Sequence, residues 1–154
     1  MKTKLLLCYF FVAFTSFSFA QIKVTEITAN NRTHYITTII NYPVTGTYLF
    51  EGKSEPIVQL NPNGSGIFQL HEKPKSNMTW GFECSQIGIP KFKEGFNSAV
   101  YSLWYKNDNE ENWNEVQFSI HFNKLKMFIL GERIKSFTEE ELNANNSNGQ
   151  DKLK

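Results

Sequence analysis

Between Trp113 and Asn123 the chain reads WNEVQFSIHFN, and this strict alternation limits the fold more than any other feature. Val116, Phe118, Ile120 and Phe122 alternate with Glu115, Gln117, Ser119, His121 and Asn123. A side-chain period of two sends successive residues to opposite faces of a strand, so one buried and one wet face is predicted. The same period recurs elsewhere. Met78, Trp80, Phe82 and Cys84 alternate with Thr79, Gly81 and Glu83; Tyr101, Leu103 and Tyr105 alternate with Val100, Ser102 and Trp104. Further strands are expected at 22–28, 34–40, 46–51, 56–60, 66–71 and 125–131, with 133–137 extending the last. Asn61-Pro62-Asn63-Gly64-Ser65-Gly66 separates two of them, and its Asn-Gly favours the positive φ of a tight turn. Roughly eight to ten short strands at this spacing predict an all-β domain, either an antiparallel up-and-down barrel or a β-sandwich. Helical periodicity is not sustained anywhere after Gln21, although Thr138-x-x-Glu141 would cap one short turn. The remainder, Asn143–Lys154, is polar and Asn-rich, so residues 138–154 are expected to form a disordered tail.

Residues 1–20 have a different character. Met1-Lys2-Thr3-Lys4 is a positive start, Leu5–Phe14 is an apolar run, and Ser18 and Ala20 are small residues suited to cleavage before Gln21. A permanent membrane span needs about 20 apolar residues, and this run is too short. An export signal is expected, followed by one β domain over 21–137, periplasmic or secreted. Removing it takes Lys2, Lys4 and Cys8 from the chain. The whole chain has 16 Lys plus Arg against 15 Asp plus Glu, and the remainder has a net charge of −1. Such a balance argues against a nucleic-acid partner, which calls for a clustered basic excess. Cys84 is left without an intramolecular partner, so the hydrophobic core has to carry stability alone.

Little in the sequence points to catalysis. His34, His71 and His121 show no H-x-x-x-H or H-E-x-x-H spacing, and neither a metal nor a cofactor is expected. Cys84 shares a strand face with Met78, Trp80 and Phe82, which marks it as a buried structural thiol. Asp108–Asn112 offers alternating oxygen ligands, but Trp113 and Ser119 stand where a calcium loop needs Gly and Glu, so a solvated hairpin loop is expected. A hydrolase would need His71, His121 and Glu83 to converge in a cleft.

Gly46-Thr47-Tyr48 resembles a G-x-W at a first barrel strand, with Tyr in place of Trp. Ile57–Leu60, the Asn61–Gly64 turn and Ile67–Leu70 resemble that family's strand–turn–strand unit. Gly131-Glu132-Arg133 looks like its late basic residue, which packs over the first-strand aromatic. Over roughly residues 45–135 the chain thus resembles small bacterial lipocalin-like (calycin) domains. The resemblance implies an up-and-down barrel with an apolar cavity for a small ligand. Strand alternation supplies a candidate inward set: Tyr48, Phe68, Trp80, Phe82, Tyr101, Phe118 and Phe122, with Phe50 beside them. In a barrel of about eight strands this set either lines a ligand pocket or fills the core. Three functions stay open: an exported non-enzymatic barrel binding a small apolar or amphipathic ligand, an interaction or envelope-associated module meeting protein or glycan through Trp104 and Trp113, and a small hydrolase.

Overall fold

The computed structural model describes residues 23–150; the expected export segment 1–20 and the last four residues of the expected tail lie outside the described residues. The elements are β1 (Val24–Ala29), β2 (Arg32–Thr37), β3 (Gly46–Phe50), β4 (Ile57–Leu60), β5 (Ser65–Phe68) and β6 (Ser76–Cys84). They continue with β7 (Phe92–Gly95), β8 (Ser98–Asn107), β9 (Asn114–His121), a 3-10 turn at Phe122–Lys124, β10 (Lys126–Ile129), β11 (Arg133–Ser136) and α1 (Glu139–Gln150).

Eight of these strands close a ring: β3, β4, β5, β6, β8, β9, β10 and β11, with β11 returning to β3. Every pairing in the ring is antiparallel, and the last one sets Arg133 against Phe50 and Ile134 against Leu49. Apart from the closing β11–β3 pair, neighbours around the ring are neighbours in sequence except between β6 and β8, where β7 stands aside. The protein is therefore a closed antiparallel up-and-down barrel, and the sandwich alternative falls away. Closure satisfies the backbone groups that an open sheet would leave at its two margins.

The alternation that predicts the strands also fills the ring. Tyr48, Val58, Leu60, Trp80, Phe82, Leu103, Phe118, Ile120, Met127 and Ile129 are buried to within 1%. They form one core with Phe68, Met78, Tyr101, Tyr105 and Phe137. Tyr48 keeps its hydroxyl satisfied inside by donating to the Val44 carbonyl at 2.6 Å. Arg133 is the charged exception, with 2% of its surface exposed. Its guanidinium lies 5.0 Å from the Phe50 ring and 5.6 Å from the Phe68 ring, and it donates to the Gln69 carbonyl at 3.2 Å. The late basic residue does pack over an aromatic of the first barrel strand, but that aromatic is Phe50, not Tyr48.

Three features lie outside the ring. β1 and β2 form a hairpin whose register runs from Val24↔Thr37 to Ala29↔Arg32. β6 runs past its pairings with β5 and β8, and its end pairs with β2 through Phe82, Glu83 and Cys84. β7 pairs with β8 alone among the strands, from Phe92↔Tyr101 to Gly95↔Ser98. The third feature is α1, which begins with a reciprocal cap. The Glu141 amide donates to Thr138 Oγ1 at 3.1 Å, and the Thr138 amide donates to Glu141 Oε2 at 2.8 Å. Three acidic residues in its first turn complement the helix dipole. The helix then runs on to Gln150, well past the single turn expected of it, with Leu142 against the barrel core. No helix among the described residues is long and apolar enough to cross a membrane.

Candidate functional site

The seven aromatic residues expected to face inward fall into two groups. Tyr48, Phe68, Trp80, Phe82, Tyr101 and Phe118 are buried inside the ring, whereas Phe122 is half-buried at the 3-10 turn against Tyr42. The six meet largely ring to ring. Phe82 lies 4.9 Å from Phe118, 5.6 Å from Trp80 and 5.7 Å from Tyr101, and Phe118 lies 5.9 Å from Tyr48. Phe68 stacks on Tyr105 at 4.3 Å. Burial raises the Tyr48 and Tyr101 phenols well above the usual tyrosine range, and burial first, then the charge of Glu110, raises Tyr105 as well.

A concavity lies instead on the outer face, where the additions to the barrel meet it. On β8 the residues Val100, Ser102 and Trp104 point outward, opposite Ser119, Gln117 and Glu115 of β9. Lys93 of β7 stands opposite Val100. The β1–β2 hairpin leans on the same face farther along. Its Ile36 takes the space that a side chain on Gly81 would fill, with three side-chain atoms 3.0–3.1 Å from an ideal Cβ there. His34 stacks on Trp104 with ring centroids 4.5 Å apart. Ile27, Ala29, Ile36 and Trp104 thereby form a second apolar cluster, with Trp113 against it. Trp104 is thus 2% exposed, not the open contact residue its outward parity suggested, because the hairpin covers it.

Glu83 holds these pieces together. Its carboxylate accepts from Trp104 Nε1 at 2.5 Å and from Lys91 Nζ at 3.2 Å, and it lies 3.2 Å from His34 Nδ1. Hairpin, barrel wall and the run into β7 thus converge on one half-buried anion, and charge-assisted bonds of this kind are the strong ones. Between them opens a groove of about 770 Å³, within the ordinary range for small-ligand sites. Val100, Ser102 and Gln117 line it from the barrel wall, Phe92 and Lys93 from β7, and His34 and Glu83 from the hairpin side. Ser102 donates to Glu115 Oε1 at 2.5 Å, which fixes two of the polar groups presented there. The lining mixes aromatic edges, both charges and an amide, so it suits an amphipathic molecule better than a purely apolar one.

The histidines do not gather as a hydrolase would need. His71 is exposed beside Glu72 and the Phe50 ring, and His121 packs on Phe128 at 5.0 Å. Glu83 has a histidine, but it is His34. Cys84 is fully buried, and desolvation first, then the adjacent Glu83, push its thiol upward, away from nucleophilic use. The Asp108–Asn112 segment is the β8–β9 connection, where Glu110 accepts from both Asn107 and Asn114.

Sequence reasoning missed His34, Lys91, Phe92 and Lys93 as site residues. The available signal was Gly81, since an isolated glycine inside a strand marks a close approach of other structure. No family model matches the chain, and no curated protein or solved structure is significantly similar to it.

Proposed function

We propose that the protein is an exported, non-enzymatic, lipocalin-like binding domain that takes a small amphipathic ligand in the groove between β7, β8, β9 and the β1–β2 hairpin. The observation that supports this reading is the contrast in room. Rings pack against rings inside the barrel, while the outer groove has about 770 Å³ and a lining of mixed polarity. The apolar part of a ligand would lie along Val100 and Phe92. Its polar groups would meet Lys93, Gln117 and the Ser102–Glu115 pair. Specificity in such a site comes from a few fixed polar groups on an otherwise contact-driven surface.

Native mass spectrometry of protein purified from its own host tests this, by looking for a co-purifying small molecule. Val100→Trp fills the groove without entering the core and is expected to abolish retention. Phe122→Ala, at the barrel rim, is expected to leave it intact. Retention by the Val100→Trp protein together with loss in Phe122→Ala would move the ligand to the barrel mouth and overturn the groove.

A further inference from the structure

β7 forms one margin of the sheet. The strand order runs from β1 at one margin to β7 at the other, and β7 pairs with β8 alone. All four of its residues are exposed. Phe96 and Asn97 form the turn between Gly95 and Ser98. Residues flanking a two-residue turn exchange both main-chain bonds, and along an antiparallel ladder such pairs alternate with pairs that exchange none. Gly95↔Ser98 and Lys93↔Val100 are therefore the bonded pairs, while Phe92 and Glu94 turn their amides and carbonyls away from β8. The bond from the Phe122 amide to the Asn97 carbonyl at 2.9 Å sets the same phase from β9, since it leaves Ser98 and Val100 facing β7. Among the described residues no other element bonds to the main chain of Phe92 or Glu94.

An unpaired edge is a template for another strand, and the charges along it decide which strand it accepts. A second copy of β7 is a poor fit. Two-fold pairing has to set the outward-facing residues, Phe92 and Glu94, against outward-facing residues of the copy. The two registers that engage three residues of each copy then oppose Lys93 to Lys93 or Glu94 to Glu94, and like charges directly opposite are destabilising. A strand of another sequence meets no such conflict when it carries an acidic residue opposite Lys93 and a basic one opposite Glu94.

The groove lies against this margin. Phe92, Lys93, Glu94 and Gly95 all line it, whereas no residue of β1, the other margin, does. Directly opposed residues share a face, so Lys93 stands on the outer face with Val100 of the barrel wall. We infer that the amphipathic ligand is a short extended peptide, added antiparallel to β7 through the main chain of Phe92 and Glu94, with the side chain opposite Lys93 turned to the groove. This rests on the groove as the binding site and adds the class of molecule that the groove takes. In strand addition of this kind main-chain bonds supply affinity and alternate side chains supply specificity. Cross-strand pairing calls for a basic residue opposite Glu94, an acidic one opposite Lys93 and a β-branched one opposite Phe92. Because the strands are antiparallel, the peptide carries them in that order.

Acetyl-Thr-Lys-Glu-Val-Thr-amide is the probe, titrated into the purified protein while amide exchange is followed residue by residue. Exchange at Phe92 and Glu94 is expected to slow, with little change at Lys93 and Gly95, whose amides already face β8. N-methylation of the probe at its Lys or its Val removes a donor aimed at β7 and is expected to weaken binding roughly tenfold. N-methylation at its Glu, whose amide faces away from β7, is expected to leave binding intact. Interchanging the probe's Lys and Glu opposes like charges and is expected to weaken binding. The inference is overturned if Phe92 and Glu94 exchange at the same rate with and without the probe, or if the three methylations act alike. Should a co-purifying molecule still be retained by the parent and lost in Val100→Trp, the groove stands and the peptide alone falls. Probe binding undiminished in Val100→Trp would detach the edge from the groove and overturn the assignment of the peptide to that site.

Discussion

Phe82 and Glu83 are consecutive on β6 and belong to two different constructions. Phe82 points inward and touches three rings in a space closed on every side by the barrel. Glu83 points outward and ties Trp104 of the barrel wall to the hairpin and to the run into β7, neither of which the barrel needs for closure. The inner construction is held by area removed from water, which is non-directional and shared among many neighbours. The outer one depends on a small apolar cluster and on bonds to a single carboxylate. One strand can therefore serve a rigid interior and an adaptable exterior, because its alternate residues answer to different forces.

The largest test of this difference is Phe82→Ala. Removing a ring from a closed core costs about 3–5 kcal/mol, read as a fall in the urea midpoint, and a loss below about 1 kcal/mol would mean the interior is loosely packed. Alkaline pH probes the same interior. Tyr48, Tyr101 and Tyr105 hold their protons more tightly folded than unfolded. Their folded values lie above the unfolded one, so this stability is fully present below about pH 10 and declines as pH rises beyond it. Each approaches a slope of about 1.4 kcal/mol per pH unit once the pH exceeds the unfolded value, and Tyr48→Phe is expected to remove one such share in denaturation experiments carried from about pH 9 up to about pH 12. Glu83→Ala is the smallest and most local. It leaves the Trp104 indole and Lys91 without their acceptor, at a cost of roughly 1–3 kcal/mol. Amide exchange should quicken in β1 and β2 while β9 and β10 stay protected. Uniform acceleration through the barrel would erase the distinction between the two constructions.

The barrel was legible because burial on one face writes itself into the sequence. WNEVQFSIHFN became β9, and the turn at Asn61–Gly64 formed where the Asn-Gly placed it, with Gly64 at a φ of 86°. β7 was not legible, since all four of its residues are exposed and no alternation marks them. Pairing with β8 defines that strand, and pairing leaves no hydrophobic pattern. α1 was hidden for a similar reason, because Leu142 is its one large apolar residue and no helical stripe results. Trp104 carried the right parity and the wrong environment. Alternation reports which face a residue takes, and it is silent about what later covers that face. The outer groove was unreadable for the same reason, being assembled from β7, β8, β9 and a hairpin far away in sequence.

Cys84 has a use that follows from where it sits. Its backbone pairs with Tyr35 of the hairpin on β2 and bridges to Pro90 on the way to β7, and its sulfur is fully enclosed. A small thiol reagent can reach it only while that end of the molecule is open, so the labelling rate serves as a clock for opening. When reclosing outpaces reaction, the rate relative to a free thiol gives the free energy of the opening that exposes it. A value equal to that of global unfolding would make hairpin and barrel one cooperative unit. A smaller value would mean that the hairpin lifts away while the ring stays shut.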